Sequence, residues 1–406
     1  MSAPSSVDIV FVWRQNERIA SGRRAESLAA WFSRLPEVRR VIYLEPPLDR
    51  KAFDTDRRWR KLLPLHVRHV DERFWRLTVL KPNTLVSLDG ETAERRTAWL
   101  SVRLVQRFLE RNTQRQRWLW IYPPNPFSTA LVHRLAHDRL ICDIVDDVVS
   151  ATEAEREHCE ALVQQSAATF TTSADLAGRL RPWQPGALYI PNGLEPSFIA
   201  EAQRTEPPAS RPRRVIGYLG VISDRTDPAL LSAVADRFPD CDLRLVGWVD
   251  GWSDEINALL AKPNVRFTDR IPFDAVAKTI DDFDVCLMPH RDNSLSRSMS
   301  PLKLFQYVAR GKPVVSTPVA GLEAVADLIR VAPASGPFLD AIAACLQTEV
   351  GDPVLRRRRI ERAAAHTWPE RVRTMWQVIS QSGTQAKISV SGRPADRSAD
   401  TTRPSV

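Results

Sequence analysis

Short apolar runs of strand length alternate with helix-patterned stretches along nearly the whole chain, and they do so in two successive series. The first series holds strand candidates at Asp8–Trp13, Val41–Leu44, Trp75–Leu80, Trp118–Tyr122, Leu140–Val145, Ala168–Thr171 and Ala187–Ile190, with helical patterns over 24–34, 92–111 and 153–166. A polar stretch over 200–212, carrying Pro207, Pro208 and Pro212, suits a connection better than a core element. Alternation then restarts at Val215–Gly220 and continues through Leu243–Gly247, Val265–Phe267, Val285–Met288, Pro313–Ser316 and Ile329–Val331. Strand, helix, strand in sequence builds parallel α/β layers, so the chain is expected to be α/β with two such layers in series.

The expected parts are an N-terminal Rossmann-like domain over 1–198, a linker over 199–212, a second Rossmann-like domain over 213–352, a helical segment over 353–381 and a disordered polar tail over 382–406. The length of 406 residues agrees with two domains, and 43% hydrophobic with 26% charged residues is a globular balance. No apolar run approaches the roughly 20 residues needed to cross a bilayer, and the first residues lack the parts of a signal peptide, so a cytoplasmic protein is expected. Cys142, Cys159, Cys241, Cys286 and Cys345 are widely spaced and mostly set in apolar runs, which reads as buried thiols. No cysteine pair has the spacing of a metal knuckle. His133 and His137 lack the intervening Glu of a zinc motif and read as solvated surface, so no metal or other cofactor is expected.

Two parallel sheets in series place a cleft between them, and such sheets bind ligands beyond the C-terminal ends of their strands. Gly217 and Gly220 close one strand ahead of Ser223-Asp224-Arg225, where backbone NH groups and an arginine can meet an anion, although a packing role for the glycines accounts for them equally well. The segment from Ser298 to Thr317 is more specific. Ser300 is a good N-cap and Pro301 a good first helical residue; Lys303 and Gln306, three apart, share a helix face. A helix N-terminus with a lysine in its first turn suits a diphosphate, and Gln306 one turn on can bond a sugar hydroxyl. Lysine is rare here, eight among 57 basic residues, which makes Lys303 conspicuous.

This segment resembles the nucleotide-sugar signature SPxKxxEYxAxGxPVV of GT-B glycosyltransferases, especially glycosyltransferase family 4 and its teichuronic-acid-type relatives. Asp284–His290, Asn264–Phe267 and Ile271-Pro272 resemble the strands and loops before that signature. Pro191-Asn192-Gly193 resembles the family's link out of the first domain, Thr367-Trp368 its C-terminal return helix, and 20–24 with Gly22 and Arg23 its glycine-rich first loop. The run from Cys142 to Asp147 is similar to the aspartate-rich strand end of the teichuronic-acid-type subgroup. The resemblance implies a GT-B fold of two facing Rossmann-like domains, with Gly220, Arg225, Ser298, Ser300, Pro301, Lys303 and Gln306 around the donor.

Two departures stand out: Gln306 replaces a signature glutamate, and Ser298 occupies the place of its partner acid. An amide can hold a ribose hydroxyl but cannot balance a cationic transition state. Asp146 and Asp147 can orient or deprotonate an acceptor hydroxyl, or simply cap a helix; His290 can bond a phosphate oxygen or the transferred sugar, or be a plain loop histidine. The expected activity is transfer of a sugar from a UDP- or GDP-sugar to a glycan, lipid-linked or small-molecule hydroxyl, with retention of configuration as the resemblance implies. A non-catalytic sugar-nucleotide binder and an epimerase of the same fold are the alternatives. The net charge of +8 and the run Arg356–Arg359 suggest peripheral contact with an anionic membrane; no aromatic RNA-binding motif accompanies the arginines, which argues against nucleic acid.

Overall fold

The computed structural model describes residues 7–13, 24–45, 65–79, 90–109, 115–122, 124–145, 152–204, 212–293, 296 and 300–382. The first sheet holds β1 (Val7–Trp13), β2 (Val38–Leu44), β3 (Leu65–Asp71), β4 (Phe74–Val79), β5 (Arg117–Tyr122), β6 (Arg139–Ile144), β7 (Ala168–Thr171) and β8 (Leu188–Tyr189) in the order β3-β4-β2-β1-β5-β6-β7-β8. Every pairing is parallel except that of β3 with β4, a hairpin at the sheet edge. Alternation along β1 divides two cores. Val7, Ile9 and Phe11 face α1 (Arg24–Phe32), whereas Val10 and Val12 face the layer of α2 (Gly90–Leu109), α3 (Pro126–Val132), α4 (Glu153–Gln164) and α5 (Ala174–Leu180). Side chains on both faces are buried, as parallel strands require.

After α6 (Pro196–Arg204), the second sheet is built from β9 (Val215–Leu219), β10 (Asp242–Val246), β11 (Val265–Thr268), β12 (Val285–Met288), β13 (Val314–Ser316) and β14 (Arg330–Val331). Its order is β11-β10-β9-β12-β13-β14, parallel throughout. One face carries α7 (Pro228–Arg237), α8 (Asp254–Leu260) and α11 (Gly336–Thr348); the other carries α6, α9 (Phe273–Asp281), α10 (Leu302–Ala309) and α12 (Pro353–Ala364). Asp227 caps α7 by accepting from Leu230 N, with Pro228 in the first turn, which fixes where the loop after β9 ends.

Several local expectations are corrected. Residues 199–204, assigned to a linker, are helical: Phe198, Ile199 and Ala202 pack in the core of the second sheet. The segment over 353–381 is two helices, α12 and then α13 (Trp368–Gln381), and α13 returns to the first sheet, where Trp368, Val372, Met375 and Ile379 pack with α1. The five cysteines are buried free thiols, as expected. His133 is exposed at the end of α3, but His137 is buried, its Nδ1 donating to Leu135 O; its own short turn folds it inward. The Arg356–Arg359 run is not one solvated face. Helical spacing turns Arg359 inward beside Ile360, where it pairs with Glu349 and donates to Leu328 O, and Arg356 reaches Ala202 O. No helix among the described residues is long and apolar enough to cross a membrane.

Candidate active site

In the second sheet, strand order reverses between β9 and β12, and the loops leaving two such strands in opposite directions open a crevice at their C-terminal ends. The loops after β9 and β12 are stitched together there. Thr226 bridges His290, and Asp227 N donates to Pro289 O. Gly220, at the mouth of β9, has φ +149°, and a Cβ at this position would stand 2.6 Å from Lys303 Nζ. Its neighbour Gly247 has φ +142°, and a Cβ there would lie 2.1 Å from Gly220 O. Both positions therefore exclude side chains so that the strand ends and the lysine can meet.

Lys303 is the second residue of α10. Its ammonium donates to Tyr218 Oη at 2.9 Å and lies 4.2 Å from the centre of the Tyr218 ring. Tyr218 Oη in turn donates to Val221 O at 2.6 Å, so the lysine is aimed rather than free. Gly220, Lys303 and the start of α10 thus lie together. The helix begins one residue later than expected, with Pro301 as N-cap and no side-chain cap on its first turn. Ser300 is not the cap, because its Oγ and carbonyl oxygen accept from Asn192 N and Nδ2 on the connection between the sheets. Tertiary partners outcompeted the local capping preference.

In the loop after β9, Gly220 N donates to Val246 O, Ile222 N to Trp248 O and Thr226 N to Ser223 O, while Ser223 N and Arg225 N stand 3.4 Å from Thr226 Oγ1 and Ser223 Oγ. Lys303 and the start of α10 bring positive charge to the crevice.

His290 is 4% exposed. Its Nδ1 lies 3.2 Å from Arg225 O, and a carbonyl can only accept, so Nδ1 carries the proton and Nε2 a lone pair with no protein partner. Burial, with Lys303 and Arg225 nearby, pushes the imidazole pKa down to about 3. A neutral ring in this tautomer presents Nε2 as an acceptor for a hydroxyl, whereas a phosphate oxygen there would need Nε2 protonated as well. Gln306 is buried on α10, one turn beyond Lys303.

Gly22, Arg23, Asp146, Asp147 and Ser298 lie outside the described residues. Their sequence neighbours Arg24 and Asp143 form a buried ion pair, Arg24 Nε donating at 3.0 and 2.8 Å to the two carboxylate oxygens, while Arg24 Nη1 reaches Ile190 O and Pro191 O. Glu195 accepts from Ser27 Oγ and Trp31 Nε1. Tyr218, Asn192 and the Arg24–Asp143 pair escaped sequence reasoning: Tyr218 sits in an apolar strand run, and a charge pair 119 residues apart leaves no local signal. Among the described residues no cluster of His, Cys, Asp and Glu fits a metal ion.

With that geometry in view, comparison with known proteins places the chain. Residues 214–348, the second sheet with α7 to α11, match the family model described as glycosyl transferases group 1. TuaH of Bacillus subtilis (strain 168), which carries the name teichuronic acid biosynthesis glycosyltransferase, is 27% identical over 188 residues, covering 44% of this chain and 47% of that protein. The matched region thus spans about half the length of this curated relative. Solved structures align over nearly the whole chain. Trehalose-6-phosphate synthase OtsA has a TM-score of 0.68 at 11% identity, covering 94% of this chain and all of that one. Sucrose-phosphate synthase from Thermosynechococcus elongatus has 0.62 at 15%, covering 92% and 98%. Anabaena HepE, solved with UDP and glucose, has 0.59 at 14%, covering 92% and 99%. The fold is GT-B, and its second half is similar to the glycosyl transferases group 1 family.

Proposed function

We propose that the protein transfers a sugar from a nucleotide-diphosphate donor, a UDP- or GDP-sugar, to an acceptor hydroxyl with retention of configuration. The donor occupies the second domain, between Gly220 and the start of α10, and the acceptor faces the first. The observation that carries this reading is the aimed ammonium of Lys303, fixed by Tyr218 at a strand-order reversal where two glycines keep side chains away. HepE, which shares the fold, was solved with UDP-glucose, and the family model matches this same region.

As the bond from the anomeric carbon to the diphosphate oxygen breaks, negative charge grows on the leaving group. Lys303, Arg225 and the uncapped first turn of α10 stabilise it without prior rearrangement. His290 Nε2 accepts from a donor hydroxyl, and Gln306 bonds the ribose. Asp146 or Asp147 orients the acceptor, whose hydroxyl proton passes to the departing diphosphate oxygen as the new glycosidic bond forms on the same face. An epimerase would need carboxyl acid and base groups about the sugar, which Gln306 and Ser298 do not supply.

The deciding experiment presents UDP- and GDP-sugars to the purified protein and measures nucleotide binding by calorimetry and nucleotide release with a glycan or lipid extract. Binding with release that depends on the extract supports transfer. Binding without release is the outcome of a non-catalytic binder, and absence of binding removes the donor reading.

A further inference from the structure

The crevice at the strand-order reversal opens because β9 and β12 part before they end. Their parallel ladder holds Ile216 opposite Val285 and Gly217 opposite Cys286 and goes no further. Each strand nevertheless keeps its outer neighbour, with Leu219 opposite Val246 of β10 and Met288 opposite Ser316 of β13. Backbone groups alternate between the two edges of a strand: Val215 O accepts from Asp284 N on the β12 edge, and Gly220 N donates to Val246 O on the β10 edge. Leu219 N and O therefore point toward β12, at the level where the two strands no longer meet. Main-chain groups placed there cost free energy unless something else pairs them.

Tyr307 of α10 pairs them. Its Oη accepts from Leu219 N at 2.8 Å and stands 3.4 Å from Leu219 O, to which it donates more weakly. Tyr307 is fully buried and follows Lys303 by four residues, so the two side chains leave the same face of the helix. Lys303 reaches the hydroxyl of Tyr218, and Tyr307 reaches the main chain of the next residue. The helix is thus fastened at two points, one turn apart, to the two residues directly before Gly220. Burial pushes the Tyr307 pKa up, which keeps the phenol protonated and able to serve both groups.

We propose that Tyr307 is a positioning residue: its hydroxyl takes the place of β12 at the end of β9, holds the two strands apart, and so keeps the crevice open with Gly220 against Lys303. The inference deepens the donor reading and rests on it for what the crevice holds, while the geometry stands by itself. If the hydroxyl is removed and the ring kept, Leu219 N can be paired only by water entering the layer or by β9 closing on β12. Water loosens the end of β9, and closure narrows the crevice. Either change moves Gly220 relative to the lysine, so Tyr307 acts on the site through Leu219 without touching a ligand itself.

The test compares Tyr307→Phe with Val308→Ala, which removes buried methyl groups from the next residue of the same helix and leaves the Leu219 contact intact. Two quantities are read in the full chain: exchange of the Leu219 amide in protein labelled with 15N-leucine, and affinity for UDP and GDP by calorimetry. In Tyr307→Phe the Leu219 amide should exchange about tenfold faster, and affinity for the nucleotide that the parent binds should fall about tenfold, the scale of one lost hydrogen bond. Its thermal midpoint should drop by a few degrees. Val308→Ala should lower the midpoint at least as far and leave both other quantities near the parent's values. Unchanged exchange at Leu219 overturns the proposal. So does a nucleotide affinity that falls no further in Tyr307→Phe than in Val308→Ala, because Tyr307 would then only fill the core. A parent that binds neither nucleotide removes the donor reading instead; faster exchange at Leu219 in Tyr307→Phe would still support the prop between the strands, and unchanged exchange would still overturn it.

Discussion

Replacing Lys303 by alanine separates a chemical role from a structural one, because the structure sets the size of each. The ammonium makes one hydrogen bond to Tyr218 Oη and one cation–π contact with the same ring. A net hydrogen bond contributes about 1 kcal/mol and a half-exposed cation–π contact about 0.5 to 1 kcal/mol, so Lys303→Ala should lose on the order of 1 to 2 kcal/mol of stability. In a domain of this size that lowers the thermal midpoint by a few degrees. If Lys303 faces the departing diphosphate, transition-state stabilisation falls by about 3 kcal/mol and the rate by about a hundredfold. Lys303→Arg should recover only part, since a planar fork is wider than an ammonium and does not act as a point charge. Tyr218→Phe supplies the complement: it keeps the ring, removes the oxygen that aims the lysine, and should reduce the rate less than removing the lysine itself. The assay is steady-state transfer with nucleotide affinity by calorimetry and the midpoint by differential scanning fluorimetry. A Lys303→Ala protein with a lowered midpoint and undiminished transfer would show that the lysine only braces Tyr218, and the donor site would have to be moved.

Three further outcomes are expected. Arg24→Met leaves Asp143 charged and buried without its partner, and urea denaturation should register a loss of about 3 to 5 kcal/mol, whereas Arg24→Met with Asp143→Leu should recover part of it. His290 and His366 are held below the ordinary histidine pKa of 6.5, to about 3 and about 4, chiefly by burial. Each depressed pKa means the unfolded chain takes up the proton first, so their contribution is intact above pH 6.5 and is lost as pH falls toward the folded values. At pH 5 that amounts to on the order of 2 kcal/mol per histidine, and His290→Gln should flatten the acid limb of a midpoint-against-pH curve. Finally, transfer should survive prolonged dialysis against a chelator; abolition restored by a divalent cation would contradict a diphosphate neutralised by Lys303 and Arg225.

The alternation of strand and helix made the two sheets legible, because parallel strands buried on both faces write themselves as continuous apolar runs. Edge strand β3 was not, since His66, Arg68, His69 and Asp71 break any such run. The α6 helix hid in a proline-bearing polar stretch, although Phe198, Ile199 and Ala202 carry a helical spacing that matches its buried face. Lys303 was found because its neighbours supply local rules: a proline before a helix, a lysine in the first turn. What those rules could not supply was tertiary competition. Ser300 obeys the capping rule in sequence and serves Asn192 in space, while Tyr218, an ordinary strand residue to the eye, aims the lysine. The Arg356–Arg359 run shows the reverse error, a pattern read by charge alone when the helix period places Arg359 in line with Ile360 and Ala363.

The return of α13 to the first sheet has a consequence for how the chain is made. The core that holds Phe11, Phe32 and Trp118 also holds Trp368, Val372, Met375 and Ile379, and burying each of these side chains fully contributes roughly 1.5 to 3 kcal/mol. On a ribosome the first seven parallel and antiparallel strands are complete by Thr171, yet the part of one sheet face that lies beside α1 stays open until the residues of α13 emerge some two hundred positions later. The second sheet, whose helices all precede α13, can close its own cores before then. Synthesis order and folding order are therefore inverted for the first domain, which waits with an apolar face uncovered while the second one matures, and that interval is when a nascent chain of this kind is most exposed to misassociation.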